Sequence, residues 1–458
     1  MNRVAGRAVI ALVLVGILVG GLLFFVGEYF FQAGDWINAP GSPHVYNASN
    51  IGCGVVTDRS GVRLLDMTQE RAYADTYYLR CSTLHWLGDR EGNISAPALP
   101  GYARQMLGFD LFNGIYDFNG GGGQAVLSLS AEAQAAAYEA MEGYKGTIAV
   151  YNYRTGEILV AVSAPSYDPD DVPDILGDTT GAYEGAYLNR FTQVTYVPGS
   201  IFKVLTLAAA LENLEDAADW RFTCDGVHVV DGNEVTCGEA HGEQNLQEAL
   251  TNSCNGAFAE LAEELGPKVL ERYVEKYHLT ESLSFDNLTT AEGHFDLKGA
   301  SPAELAWAAI GQHTDEINPA RFLTFMGMIA GGGSAMEPHL VNQVTSGGKT
   351  TYQAKPVSTG QLMDETTASV IQEYMRNNVI NKYGDWNFPS LTVCAKSGTA
   401  ERGGDLASNA MFAGFVQDEE YPLAFFAAVE GGGYGQYTCV PIISTVLEIC
   451  QEQMDLES

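Results

Sequence analysis

Ser200-Ile-Phe-Lys203, Ser253-Cys-Asn255 and Lys396-Ser-Gly-Thr399 are the residues of this chain whose types and spacing could do chemistry. A serine hydroxyl is a poor nucleophile at neutral pH and needs an adjacent base. Lys203, three residues after Ser200, returns to the same helix face within hydrogen-bond reach. The helix start after Pro198-Gly199 also offers backbone N–H groups and a positive dipole end to a developing oxyanion. A lysine acts as a base only if its pKa falls, through burial or a second cation nearby, and Lys396 is the candidate cation. The bland reading makes Ser200 a helix cap and Lys203 a surface charge. It fails on context, because Phe202, Val204, Leu205 and Leu207 make this helix too apolar for a solvated face.

Ser253 and Asn255 are two apart, so they diverge on a regular helix but can converge from a turn. A hydroxyl there can relay a proton between Lys203 and a leaving amine, and an amide can hold a substrate peptide. The same residues could simply cap a helix at Thr251-Asn-Ser. Lys396-Ser-Gly-Thr399 falls on a predicted strand. Gly398 leaves room for a ligand to approach the backbone, while the hydroxyls of Ser397 and Thr399 with the Lys396 ammonium suit a carboxylate. An exposed strand edge there could pair with an extended peptide. Alone, this motif is no better than an ordinary turn. Three motifs in this order, each in a fitting context, read as an active-site serine acyl-enzyme former.

The elements that must position these residues follow from periodicity and breakers. Ser130 caps a predicted Ala-rich helix ending near Met141, and strands follow over 146–152 and 156–162, joined by Tyr-Arg-Thr-Gly. Helices are expected over 200–213, about 245–265, 301–311 and 361–379. Strands return at 391–397, 409–417 and 422–430, and the end, about 441–453, reads as helix. Strands at both ends with helices between predict one α+β domain whose sheet is closed by the C-terminal strands. Before it, a helix is expected around 66–79 and a Gly-rich tract ends at Gly123.

The chain has 458 residues, enough for two or three domains, and a net charge of −33 that argues against binding nucleic acid. Val9–Val26 is an unbroken stretch of apolar residues and glycine, close to the ~20 residues that span a bilayer. Arg3 and Arg7 precede it, Glu28 follows, and Phe24, Phe25, Tyr29, Phe30, Phe31 and Trp36 could form an aromatic belt. The positive-inside rule then leaves the N-terminus in the cytoplasm and the bulk of the chain outside. A cleaved signal peptide would have a shorter apolar core and an A-x-A-like site, neither of which is present. Eight cysteines in an exported chain could pair. Cys224 and Cys237 bracket an apparent hairpin and are the best disulfide candidates, while Cys254 reads as a small buried residue. No C-x-x-C or H-x-x-x-H spacing points to a metal, and no cofactor is expected.

Gly156-Glu-Ile-Leu with Ser163-Ala-Pro-Ser-Tyr-Asp-Pro169, Asn189-Arg190 with Val197-Pro-Gly-Ser-Ile-Phe-Lys203, Ser253-Cys-Asn255, and Lys396-Ser-Gly-Thr-Ala400 followed by Phe412-Ala-Gly-Phe415 complete a pattern. Residues ~124–430 resemble the transpeptidase domain of class B penicillin-binding proteins, the monofunctional D,D-transpeptidases that cross-link bacterial peptidoglycan. The resemblance implies a penicillin-binding/β-lactamase-like α+β fold, an antiparallel sheet packed with helices plus an all-helical subdomain. It implies a cytoplasmic tail over 1–8, a transmembrane anchor over 9–31, a linker over 32–50, a non-catalytic pedestal or dimerisation-like module over 51–123, and the transpeptidase domain over 124–458. Only about 90 residues separate anchor from catalytic domain, similar to the smaller actinobacterial and clostridial members.

Carried over by position, Ser200 would be acylated and Lys203 would be the base. Ser253 would shuttle protons, Asn255 would orient the donor peptide, and Lys396 would assist electrostatically. Ser397, Gly398 and Thr399 would bind substrate, with the terminal carboxylate on the two hydroxyls. The Ser200 and Thr399 N–H groups would form the oxyanion hole. The implied partners are stem peptides ending in D-Ala-D-Ala, amine acceptors, β-lactams as inhibitors, and a glycosyltransferase of the cell-wall machinery. A carboxypeptidase, β-lactamase or β-lactam-sensing receptor on the same fold, or a degenerate membrane scaffold, are the alternatives.

Overall fold

The computed structural model describes residues 2–37, 46–47, 50–68, 70–107, 109–110, 114–115, 122–403 and 406–457. Most of the expected 32–50 linker and part of the glycine tract lie outside them. The apolar N-terminus is a helix, Asn2–Ile37. Its Val4–Ala33 stretch is long and apolar enough to cross a membrane, and none of its most apolar window is buried against the rest of the chain. A helix apolar on all sides and left bare by its own protein is compatible with a single-pass membrane anchor.

Five runs rich in Val, Ile, Phe and Ala form the central sheet. Its strand order is Ile158–Ala164, Lys145–Asn152, Leu423–Glu430, Asn409–Val416, Val393–Ala400, with every neighbouring pair antiparallel. Nearly every residue of these strands is buried, because both faces are covered. Alternation along the strand sorts the side chains between two cores. Phe425 stacks on Phe412 in a core shared with helices Ala131–Ala140 and Gly435–Glu457, while Phe426 points the other way to Phe322 of helix Pro319–Ala330. This is the expected α+β arrangement, closed by C-terminal strands. Ser130 caps its helix as expected, accepting from the Ala133 amide.

Arg190 locks the segment before the first motif onto this sheet. Its guanidinium meets Glu430 at 2.8 Å and donates to the carbonyls of Gly185 and Glu184, with only 6% of its side chain exposed. Truncating one partner of a largely buried pair strands the other charge. Arg190→Ala is therefore expected to lower the unfolding free energy by about 3 kcal/mol, measured by denaturant titration in detergent.

The first strands of residues 51–123 share a sheet with later parts of the chain. Val55–Thr57, Arg63–Asp66 and Ala72–Tyr73 join Gln124–Leu127, Val341–Ser346 and Lys349–Gln353 in one six-stranded sheet. The helix expected around 66–79 is absent. Leu64 and Leu65 are buried strand residues, and the Asp66 carboxylate accepts from both the amide and the hydroxyl of Thr68, a turn that ends the strand. The helix runs instead over Tyr77–Leu87.

Two further expectations are corrected. The helix foreseen over 245–265 is broken into Leu246–Thr251 and Asn255–Leu265, with Ser253 at φ 53° between them. The Cys224–Cys237 disulfide is not formed, and both thiols are free. The hairpin between them is present, Val227–Val230 against Asn233–Thr236, turning at Asp231-Gly232 with positive φ at both residues.

Candidate active site

Ser200 owes its position to the glycine before it. Gly199 sits at φ 57°, and a Cβ there would meet the Thr399 carbonyl oxygen at 2.6 Å. The turn thus presses directly on the third motif. Gly199–Phe202 forms a 3₁₀ turn that passes into helix Lys203–Asn213. In a 3₁₀ turn residues three apart eclipse, which aligns Ser200 with Lys203. Ser200 is half-buried and opens on a groove of about 570 Å³, also lined by Ser253, Asn255, Ser397 and Thr399.

Both lysines lie under this groove, fully buried. Lys203 Nζ donates to the Ser253 carbonyl at 2.6 Å and to Asn255 Oδ1 at 2.7 Å, and meets Ser253 Oγ at 3.2 Å. Lys396 Nζ meets the same Oγ at 3.1 Å and donates to the Ser397 carbonyl at 2.8 Å. The Ser253 hydroxyl therefore stands between two amines. A neutral Lys203 has two hydrogens, and the two carbonyl-type oxygens claim both, leaving its lone pair for a hydroxyl proton. The Lys203–Ser200 hydrogen bond expected from spacing is not among those seen; the Lys203 amine is held by the second motif instead.

Burial depresses Lys203 to about 7. Burial, reinforced by the neighbouring Lys203 charge, holds Lys396 well below the ordinary lysine range. Coupled this closely, the pair titrates as a unit and favours the loss of a proton near neutrality. Acylation needs the neutral base, so its rate is expected to rise with pH through about 7 and to fall roughly tenfold per unit below it. A pH profile of the second-order acylation rate constant checks this. The linkage has the same sign: the unfolded lysine keeps its proton up to about 10.5, so this group's contribution to stability improves as pH rises from about 7 towards 10.5.

The third motif lies on Val393–Ala400, the edge of the central sheet. The Ser397 amide donates outward to the Tyr383 hydroxyl at 2.9 Å, and the Ala395 carbonyl accepts from Asn378 on the same side. By the two-residue repeat of a strand, the Thr399 amide also faces outward, towards the Ser200 turn. Ser200 and Thr399 thus present backbone to the same space. The missing Cβ of Gly398 faces the Pro198 carbonyl at 3.0 Å and Ile201 at 3.1 Å, so the serine-bearing turn approaches that Cα closely.

Asn255 Nδ2 donates to the Thr236 carbonyl at 2.8 Å, so its Oδ1 must face Lys203. Sequence reasoning missed Tyr383, whose hydroxyl also accepts from Ser397 Oγ at 3.0 Å and which ends a π-turn after helix Glu365–Asn378. It missed Thr251 and Asn378 as well, which bond to each other at 2.9 Å and tie the second motif's helix to the third motif's strand. No local signal marks any of these three.

Residues 146–448, well over half of the chain, match the model of the penicillin binding protein transpeptidase domain. The chain is 30% identical over 323 residues to stage V sporulation protein D of Bacillus subtilis, which covers 66% of this chain and 48% of that protein. It thus spans about half the length of that relative. Peptidoglycan D,D-transpeptidase PbpA of Mycobacterium tuberculosis is 28% identical over 370 residues, 73% of each chain. Among solved structures, the D,D-transpeptidase domain of a peptidoglycan glycosyltransferase from Eggerthella lenta superposes with a TM-score of 0.75 at 26% identity, covering 88% of this chain and 99% of that one. An imipenem acyl-enzyme complex of penicillin-binding protein A from M. tuberculosis shares the fold, with a TM-score of 0.76 at 24% identity over 87% and 98% of the two chains. With three motifs gathered on one groove and this match around them, the chain belongs to the penicillin-binding protein transpeptidase family.

Proposed function

We propose that this protein is a membrane-anchored peptidoglycan D,D-transpeptidase, with its catalytic groove outside the membrane. The observation that carries the reading is the Ser253 hydroxyl held 3.2 and 3.1 Å from two buried amines beneath the groove on which Ser200 opens. Ser200 Oγ attacks the carbonyl carbon of the penultimate D-Ala as its proton passes to neutral Lys203. The Ser200 and Thr399 amides receive the oxyanion. As the C–N bond breaks, the proton travels from Lys203 through Ser253 to the departing D-Ala amine, leaving a Ser200 ester. An amine from a neighbouring stem peptide then attacks the ester, and the same relay returns its proton to Ser200. Lys396 supplies electrostatic assistance, Ser397 and Thr399 hold the terminal carboxylate, and Asn255 offers its remaining amide hydrogen to the donor peptide. The second product-forming partner in the wall machinery is a glycosyltransferase that supplies the glycan strands.

Hydrolysis of the ester needs a water held by a fixed base. The carboxylate that lines the groove, Glu401, is exposed and has no hydrogen-bond partner to hold it among the described residues. We therefore expect a penicilloyl-enzyme that survives for many minutes, and aminolysis that outruns hydrolysis of a D-Ala-D-Ala or thioester donor. Adduct decay and product ratios measure both. Rapid turnover of penicillin would assign the chain to the β-lactamases instead.

A further inference from the structure

The groove carries two side chains that acylation of Ser200 does not use, a carboxylate and an exposed ring. Ser397, Thr399 and Glu401 all line it, so the alternation that presents two hydroxyls from the edge strand continues into Glu401, the residue after its last one. Glu401 is the one charged side chain among the described residues that line the groove, and it is exposed. Tyr434 lines the same groove. Its neighbour Gly435 is pressed against the third motif, where a Cβ would meet the Gly398 carbonyl oxygen at 2.6 Å. The Gly433 amide donates to the Ser408 carbonyl at 2.9 Å and the Gly431 amide to Asn409 Oδ1 at 3.1 Å. The loop bearing Tyr434 is thus tied to the segment that leads away from Glu401. Tyr434 remains 65% exposed, edge-on to Tyr437 with ring centroids 6.1 Å apart. A carboxylate and an exposed phenol ring offer a cation both an opposite charge and a ring face.

We propose that Glu401, with the ring of Tyr434, is the subsite that captures the acceptor amine as its ammonium ion. This rests on the transpeptidase reading and adds to it the charge state in which the second substrate is recognised. An alkyl amine of the lysine type is protonated at neutral pH. It meets a Ser200 ester above two buried lysines, and either of them repels it whenever it carries a proton. A carboxylate at the rim offsets that repulsion and concentrates ammonium ions in the groove, whereas water carries no charge for it to select. Glu401 therefore favours aminolysis over hydrolysis of the same ester. The bound ammonium gives one proton to neutral Lys203 through Ser253. The freed amine then attacks the ester carbon: the C–N bond forms, the C–O bond to Ser200 breaks, and a second proton passes to the Ser200 oxygen. Lys203 afterwards releases its proton to solvent. Glu401 attracts and orients the acceptor and takes no proton in these steps.

Full-length protein in detergent, acylated from a thioester donor, is offered two nucleophiles. An Nα-acetylated lysine amide is a cation at neutral pH, and methoxyamine is uncharged there. The ratio of aminolysis to hydrolysis products is read for each. Both products leave one acyl-enzyme, so the ratio is independent of how fast a variant acylates. Glu401→Gln is expected to lower the ratio about fivefold for the lysine amine and to leave that for methoxyamine unchanged. Glu401→Asp should recover most of the loss. Tyr434→Leu should lower the ratio about twofold for the cation alone, and Tyr434→Phe should keep it. Added salt should erode the wild-type ratio for the lysine amine and leave that of Glu401→Gln nearly flat. An equal loss for both nucleophiles would make Glu401 a proton acceptor or a structural residue and overturn the subsite, as would no loss for either. A wild type that acylates yet gives only hydrolysis with both amines ends the transpeptidase reading and this proposal with it. A wild type that forms the new amide while Glu401→Gln partitions identically overturns the subsite alone.

Discussion

Benzylpenicillin is expected to leave one covalent adduct on the wild-type chain, on the peptide carrying Ser200, and none on Ser200→Ala. The groove offers two other serines of the motifs, Ser253 and Ser397, so the assignment is a choice. Ser253 Oγ is engaged by both lysine amines, and Ser397 Oγ is engaged by Tyr383. Ser200 alone combines an open hydroxyl, a lysine eclipsed one 3₁₀ turn on, and its own amide at a helix start, where N–H groups lack helical partners. Loss of a nucleophile of this kind costs on the order of 10⁶ in rate, so intact-protein mass spectrometry should read the variant as unmodified. An adduct on Ser253, or none on the wild type at any concentration, would reverse the assignment.

Lys203 and Lys396 are expected to differ in kind. Lys203→Ala removes the amine whose lone pair is free for the Ser200 proton, and acylation should fall by about 10⁴. Lys203→Arg should fail equally, because a guanidinium stays protonated in this range. Lys396→Ala leaves that base in place and removes one contact to Ser253 and a share of carboxylate binding, so weak acylation should persist, lower by about 10². Burial, not Lys396, depresses Lys203, so the acylation profile of Lys396→Ala is expected to keep its midpoint near 7. Stopped-flow acylation across pH distinguishes the variants, and a dead Lys396→Ala beside an active Lys203→Ala would exchange the two roles.

The three motifs, the Ser130 cap, the apolar anchor and the five sheet strands were legible because each is written in contiguous residues. A strand announces itself by its neighbours, and Ser200 and Lys203 share one turn. Where local signals compete, reading fails: Asp66 and Thr68 close a turn inside what looks like a helix, and Ser253 breaks a span that reads as one helix. Everything metric came from packing. Ser253 lies 50 residues from Lys203 and 143 from Lys396, so the two distances that make it a relay are set by how a buried helix, a strained turn and an edge strand meet. The same holds for Tyr383, and for Gly398, whose small size serves a close approach of backbone that no spacing reveals. Sequence determined which groups could do chemistry here; only the tertiary structure decided which of them touch, since that depends on non-local burial and not on the order of residues along the chain.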